Sequence, residues 1–124
     1  MSDNKLLTVT NSKNLGKIEI APEVIEVITG LAVAEVDGIS TMRGTFTERF
    51  GKKSPSHGVK VELVNGGVVV DLHVVLKYGK AIPKVAQEIQ TNVKQTLKNM
   101  ADLDVKEVNI HVVDLEMETE ENRK

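Results

Sequence analysis

Two histidines and an aspartate are the residues of this sequence whose types and spacing best suit metal binding or proton transfer. His73 lies two positions after Asp71, and His111 lies two positions after Asn109. Because residues two apart share one face of a β-strand, neighbouring strands would bring Asp71, His73 and His111 together. Such a cluster suits a zinc ion or a general base.

We favour solvated or partner-facing histidines, because valines share the same strand faces and the sequence has no local metal-ligand spacing. A small-molecule or metal-binding module that uses Asp71, His73 and His111 on an open sheet face is kept as the alternative function.

The other residues suited to chemistry lack the partners that catalysis requires. His57 lies in a loop of serine, proline and glycine, without an acid at a spacing that would orient its ring. The glycine-lysine pairs lack the earlier glycine of a phosphate-binding loop. Cysteine is absent, which excludes thiolate nucleophiles and disulfides. We therefore expect no enzyme activity, no catalytic residues, no metal and no cofactor.

A basic segment with two phenylalanines is the candidate partner-binding site. Phe46 and Phe50 are spaced like residues on one helical turn. We favour a role in capping the core, and the alternative is an exposed aromatic anchor for a protein partner or an anionic surface. The candidate partner-binding residues are Arg43, Phe46, Arg49, Phe50, Lys52 and Lys53.

Composition limits the classes of ligand. The chain has 124 residues, a formal net charge of −2, two phenylalanines, one tyrosine and no tryptophan. A domain of this size without a basic field or stacking rings is poorly suited to nucleic acid, so we expect no nucleic-acid partner. A nucleic-acid binder that uses lysines in and near the second predicted helix is the second alternative. Those lysines are Lys77, Lys80, Lys84, Lys94 and Lys98.

The dipeptide Asn65-Gly66 predicts a β-hairpin, because it lies between two apolar runs and is a strong signal for a tight turn. Placing these two residues in the turn pairs Leu63 with Val68, Val61 with Val70, Val59 with Leu72 and Lys60 with Asp71. The apolar pairs then share one face and the charged pair lies on the other, so pattern and register agree.

Two helices are predicted from apolar residues at helical spacing. In the first, which begins at Pro22, the residues expected to face the core are Val24, Ile28, Leu31 and Ala32. In the second, near Pro83, the stripe consists of Ile82, Val85, Ala86, Ile89, Val93, Leu97 and Met100.

The order of elements predicts the fold class. Ile18 and Ile20 are expected to face inward on a first strand, and residues 105–115 are expected to form the last strand. The resulting βαββαβ order predicts an α+β, two-layer sandwich with a mixed sheet and two helices on one face. A ferredoxin-like arrangement or a close variant is the simplest form.

The domain boundaries follow from polar and charged stretches. We expect a flexible tail over residues 1–14, in which Leu6, Leu7 and Val9 could add a strand. A single domain is expected over 15–115, with a basic loop over 43–58, and an acidic tail over 116–124. A signal segment and a run of ~18 apolar residues are absent, so we expect a cytoplasmic protein that reaches a membrane only through a partner.

Two groups of short motifs resemble the alkaline shock protein family, the envelope stress response proteins of Gram-positive bacteria. The first consists of residues 16–24 (GKIEIAPEV) and 35–39 (EVDGI). The second consists of residues 74–79 (VVLKYG), 82–83 (IP), 89–93 (IQTNV) and the valine-rich stretch 105–112. The motifs are modest singly, but their order over residues 15–115 is specific, and the short chain is most similar to the compact YqhY-like branch.

The resemblance implies a non-enzymatic protein that associates with itself and with a protein partner. In this family some members collect beneath the membrane through a membrane-anchored partner. The compact branch is linked to fatty-acid synthesis through acetyl-CoA carboxylase. The resemblance supplies no family-wide catalytic or ligand residues.

Overall fold

The computed structural model describes residues 7–9, 15–40 and 58–117. In chain order its elements are β1 (Leu7–Val9), β2 (Ile18–Ile20), α1 (Pro22–Ala34), β3 (Val59–Val64), β4 (Gly67–Lys77), α2 (Ile82–Ala101) and β5 (Val105–Glu116). The candidate partner-binding residues of the basic segment lie outside the described residues, as does His57.

β3 and β4 form the predicted antiparallel hairpin. The four predicted residue pairs are all observed, with Lys60 opposite Asp71 among them. Gly66 has a φ of +87°, a left-handed conformation that glycine adopts without steric cost in a two-residue turn. The turn dipeptide and the apolar pattern therefore determine the same register.

β4 also pairs with β5, in parallel, and α2 connects the two strands. Within the described residues the main sheet has the order β3-β4-β5, with one antiparallel and one parallel pair. The register shifts twice, between Val68 and Val69 and between Val74 and Val75. The predicted mixed sheet is confirmed.

The core lies between one face of this sheet and both helices. Alternate residues of β4 are buried, and they form one cluster with apolar residues of α1 and α2. On α2 the buried positions are Val85, Ile89, Val93, Leu97 and Ala101. Burying each large aliphatic side chain stabilises the fold by about 1.5–3 kcal/mol. The predicted α+β sandwich, with both helices on one face, is confirmed.

The predicted core face of α1 is displaced in the structure. Val24 and Leu31 are 46% and 51% exposed, whereas Ile25, Thr29, Ala32 and Val33 are buried. The hydroxyl of Thr29 donates to the carbonyl oxygen of Ile25 over 2.8 Å, so its burial leaves no unpaired polar atom. The helix is apolar on most of its circumference, so spacing alone could not select the buried side.

The sheet position predicted for Ile18–Ile20 is wrong. This strand forms, but it pairs antiparallel with Leu7–Val9 in a separate two-stranded sheet. Ile18 is 49% exposed, whereas Ile20 packs against the core. Alternation over three residues indicates a strand but does not identify its partner, and the optional strand near Leu7 supplies that partner here.

The segment after α1 takes the position beside β4 beyond the end of β3. Ile39 forms an isolated antiparallel bridge with Leu76. The amide N–H of Ser40 donates to the carbonyl oxygen of Val75 over 2.9 Å.

Within the described residues, neither helix combines the length and the apolar composition that crossing a membrane requires.

Candidate binding surface

The face of the main sheet opposite the helices is called the open face here. It carries the β4 and β5 residues that alternate with the core residues, together with the outward residues of β3. Its members include Lys60, Glu62, Val69, Asp71, His73, Val75, Glu107, Asn109, His111 and Asp114. Several are charged, and Val69 and Val75 are half-buried among them.

The parallel register brings the sequence-predicted histidine cluster together on this face. His73 lies directly opposite His111, and Asp71 lies opposite Asn109. The two imidazole rings stack with centroids 4.7 Å apart and planes 18° apart. Nε2 of His111 lies 3.7 Å from Oδ1 of Asp71. The condition set by the sequence, that the two strands be neighbours, is met.

The geometry of the cluster does not favour a metal ion. The lone pairs of an imidazole lie in its ring plane, so two stacked rings direct them side by side and not toward one point. Among the residues that the structure describes, no group of three or more histidines, cysteines or carboxylates could hold a metal ion. The side chain of His111 is 51% exposed, which is unlike a base held in a dry cleft.

The outer edge of β5 forms a second candidate surface. Nε2 of Gln90 on α2 donates to the carbonyl oxygen of Val108 over 3.1 Å. Beside this bond lies a groove of about 370 Å³, lined by Gln90, Lys94, Lys106, Glu107, Val108 and Asn109. Among the described residues no further strand pairs with this edge. Apart from the carbonyl of Val108, its outer backbone groups could therefore pair with a further strand.

A wider groove of about 580 Å³ lies between the end of α1 and the polar side of α2. Its lining includes Glu35, Asp37, Lys84, Glu88 and Asn92. Nδ2 of Asn92 donates to the carbonyl oxygen of Ala32 over 2.7 Å and lies 3.3 Å from Oε1 of Glu35. These bonds attach α2 to the last turn of α1, so Asn92 has a structural role.

Two of the lysines considered for nucleic acid are engaged in ion pairs. Nζ of Lys80 lies 3.0 Å from Oδ2 of Asp37. This hydrogen bond and the charge of Lys80 lower the pKa of Asp37. Nζ of Lys98 lies 3.2 Å from Asp102 and 3.5 Å from Asp104. The hydrogen bond and charge of Asp102, followed by those of Asp104, raise the pKa of Lys98. These pairs reduce the positive charge that Lys80 and α2 offer to a phosphate backbone.

Sequence reasoning missed the individual roles of Gln90 and Asn92, which reach in different directions from α2. Their bonds join α2 to β5 and to α1. A usable signal was present, because amides recur on the polar side of this helix.

Tyr78, the residue that follows β4, is 65% exposed.

Comparisons with known proteins match nearly the whole chain. The model of the alkaline shock protein 23 family, described as having a cell envelope-related function, matches residues 10–117. The chain is 49% identical to the "Uncharacterized protein YqhY" of Bacillus subtilis (strain 168), with 96% of this chain and 92% of that protein covered. It is 39% identical to a "Stress response regulator gls24 homolog" of Streptococcus pyogenes serotype M3, with 81% of this chain and 59% of that longer protein covered.

Solved structures give a weaker similarity. A MamM-CTD chain aligns over 76% of this chain and 98% of its own length, with 13% identity and a TM-score of 0.45.

Proposed function

We propose, from the premise that this chain belongs to the alkaline shock protein 23 family of cell envelope-related function, that it acts by binding protein chains and not by catalysis. The resemblance predicted from the sequence is confirmed, and the family's association with stress response and the cell envelope is shown. The proposed function has two parts, which are self-association and the binding of a separate protein partner.

The observation that carries this proposal is the one-sided covering of the sheet. Both helices pack on the same face, so among the described residues neither helix covers the open face and no further strand pairs with the outer edge of β5. Val113, on β5, is 58% exposed. Exposed strand edges and mixed polar and apolar sheet faces are surfaces that protein partners use.

The absence of catalysis is part of the proposal and is supported by the character of the described surfaces. The histidine pair is solvent-exposed and stacked, and its rings do not converge on a third group. The grooves are open and are lined by amides, lysines and carboxylates. Acid–base catalysis needs groups held in environments that separate their pKa values.

The proposed partners are a membrane-anchored protein and subunits of acetyl-CoA carboxylase, the second through a role in controlling fatty-acid synthesis. Binding to a membrane-anchored protein would place the chain at the envelope. The basic segment that contains Phe46 and Phe50 is the predicted contact for such a partner.

A pull-down of the tagged chain from membrane and cytosolic fractions, read by mass spectrometry, tests the proposed partners. Specific recovery of a membrane protein supports the envelope partner, and recovery of carboxylase subunits supports the metabolic partner. Recovery of neither would overturn partner binding.

A triple charge reversal, Arg49→Glu with Lys52→Glu and Lys53→Glu, tests the predicted contact. It should reduce the recovery of whichever partner is found. The matched control is Lys17→Glu with Lys77→Glu and Lys84→Glu, which changes the net charge equally at exposed positions outside the basic segment. Equal recovery with both triple variants would remove the basic segment from the proposal.

A further inference from the structure

The outer edge of β5 has a defined pattern of backbone groups. The carbonyl of Val108 accepts a hydrogen bond from the side chain of Gln90, so it is turned away from β4. Along a paired strand, alternate residues turn their N–H and C=O groups to opposite sides. Ile110 and Val112 therefore present their backbone groups to the outer edge as well.

This outward pattern ends at Val113. The pairing of β4 with β5 shifts there, since Val74 pairs with Val112 but Val75 pairs with Asp114. Beyond the shift, the amide N–H of Tyr78 donates to the carbonyl oxygen of Glu116 over 3.0 Å, so the carbonyl of Glu116 is turned toward β4. Residues 110–112 are therefore the outward segment between the capped carbonyl of Val108 and the shift.

We propose that two copies of this chain pair antiparallel through residues 110–112, about a two-fold axis at His111. Ile110 of each copy then lies opposite Val112 of the other, and each such pair exchanges both of its N–H···O bonds. The two three-stranded sheets become one continuous sheet. This inference rests on the self-association proposed above and specifies its interface.

The backbone pattern favours this register over the one in which the two-fold axis lies at Ile110. Placing Ile110 opposite Ile110 of the second copy would put Val112 opposite Val108. The carbonyl of Val108 already accepts a bond from Gln90, so that arrangement would have to break the bond. The register centred on His111 leaves it intact.

The charges along β5 select the antiparallel direction. Beside the amino half of the strand, Lys94 and Lys106 line the 370 Å³ groove, together with Glu107. In its carboxyl half β5 carries Asp114 and Glu116. Antiparallel pairing brings the acidic end of one copy toward the lysines of the other, whereas parallel pairing would bring two acidic ends together.

The pairing has a specific consequence on the open face. His111 of each copy lies opposite its counterpart in a non-hydrogen-bonded pair, with Cα atoms about 4.5 Å apart. Since His73 stacks on His111 within each copy, the four imidazole rings form a row across the joint sheet.

Disulfide trapping tests this interface directly, because the chain has no cysteine of its own. His111→Cys places one thiol per chain at the axis, within the Cα separation of about 4.4–6.8 Å that a disulfide spans. Mild oxidation should convert most of this variant into a covalent dimer on a non-reducing denaturing gel. The matched control is His73→Cys on the same face, which lies about 14 Å from its counterpart and should not cross-link.

A second variant tests the hydrogen bonds at the edge. Ile110→Pro removes an outward N–H, at a position where the fold of the single chain does not use that donor. It should weaken association by about tenfold or more, because the hydrogen bond that the N–H of residue 110 donates to Val112 of the other copy is lost in both symmetry-related pairs. Circular dichroism checks that the variant folds.

The outcomes separate this interface from self-association in general. An unmodified chain that dimerises while His111→Cys fails to cross-link, or cross-links no more than His73→Cys, would overturn the interface and keep the proposed function. An unmodified chain that stays monomeric at every concentration would overturn both this interface and the proposed self-association.

Discussion

The side-chain amide of Asn92 donates to the carbonyl oxygen of Ala32 over 2.7 Å and so joins α2 to the last turn of α1. Carbonyl groups in the last turn of a helix lack a partner within the helix. The amide N–H of Val36 bonds to Val33 and not to Ala32, so the side chain of Asn92 completes this helix end.

Replacing Asn92 with alanine should therefore lower the free energy of unfolding by about 1–2 kcal/mol, because a partly buried carbonyl loses its partner. Urea unfolding followed by circular dichroism measures the change. Gln95→Ala is the matched control, as Gln95 is an exposed amide one turn further along α2, and it should change stability by less than about 0.5 kcal/mol. Equal effects of the two substitutions would show that the Asn92 bond contributes nothing.

Gly67→Ala should destabilise the protein by about 3 kcal/mol or more, because the added methyl group meets backbone. A Cβ at Gly67 would lie 2.2 Å from the carbonyl oxygen of Asp104, which also accepts the amide N–H of Val68. The contact cannot be relieved by a side-chain rotation, so the strand or the turn has to move. Thermal and urea unfolding both measure the loss.

Gly79→Ala is the control for that substitution. Gly79 has a φ of +103°, and a Cβ there would meet nothing within 4 Å. Alanine should cost about 1 kcal/mol from backbone strain alone. If Gly67→Ala proved no more harmful than Gly79→Ala, the close approach of Asp104 to β4 would be refuted.

The ion pairs of Lys98 should make stability depend on alkaline pH. Asp102, and then Asp104, raise the pKa of Lys98 in the folded state. A raised lysine pKa contributes stability that is fully present below the unfolded-state pKa and is lost as the pH rises through the folded-state pKa. The stability difference between the native protein and Lys98→Met should therefore shrink across that alkaline range, as measured by urea unfolding at a series of pH values. A difference that stays constant would contradict this linkage.

The pKa of the Asp37 carboxylate should depend mainly on its ion-pair partner, Lys80. The hydrogen bond from Lys80 is the largest cause of its lowered pKa, and the charge of Lys77 is a smaller one. Lys80→Met should raise the pKa of Asp37 toward its ordinary value, and Lys77→Met should raise it less. Carboxyl carbon NMR titration measures both shifts, and the reverse order of the two effects would contradict the observed pairing.

The hairpin and α2 could be predicted because independent signals agree there. Asn65-Gly66 determines the turn, and the apolar alternation on β3 and β4 determines the same register. On α2, polar residues surround a single apolar stripe, and its members Val85, Ile89, Val93 and Leu97 are buried as predicted. The two ends of the predicted stripe, Ile82 and Met100, are instead 39% and 64% exposed.

The positions of α1 and β2 could not be determined in the same way. Val24 and Ile25 are equally apolar neighbours, and only contact with α2 and the sheet decides which one is buried. The three residues of β2 carry no information about their partner strand. The histidine cluster was predicted conditionally, because whether His73 meets His111 depends on a parallel pairing that spacing cannot reveal.

The predicted partner contact over Phe46 and Phe50 stays a prediction, because it lies outside the described residues. The domain boundaries also stay predictions.

Sedimentation equilibrium of the unmodified chain over a range of concentrations tests the central claim, self-association, most directly. A self-associating chain should show a mass that rises with concentration from the 13.6 kDa of one chain toward that of a dimer or larger assembly. A mass that remains at 13.6 kDa throughout would contradict it.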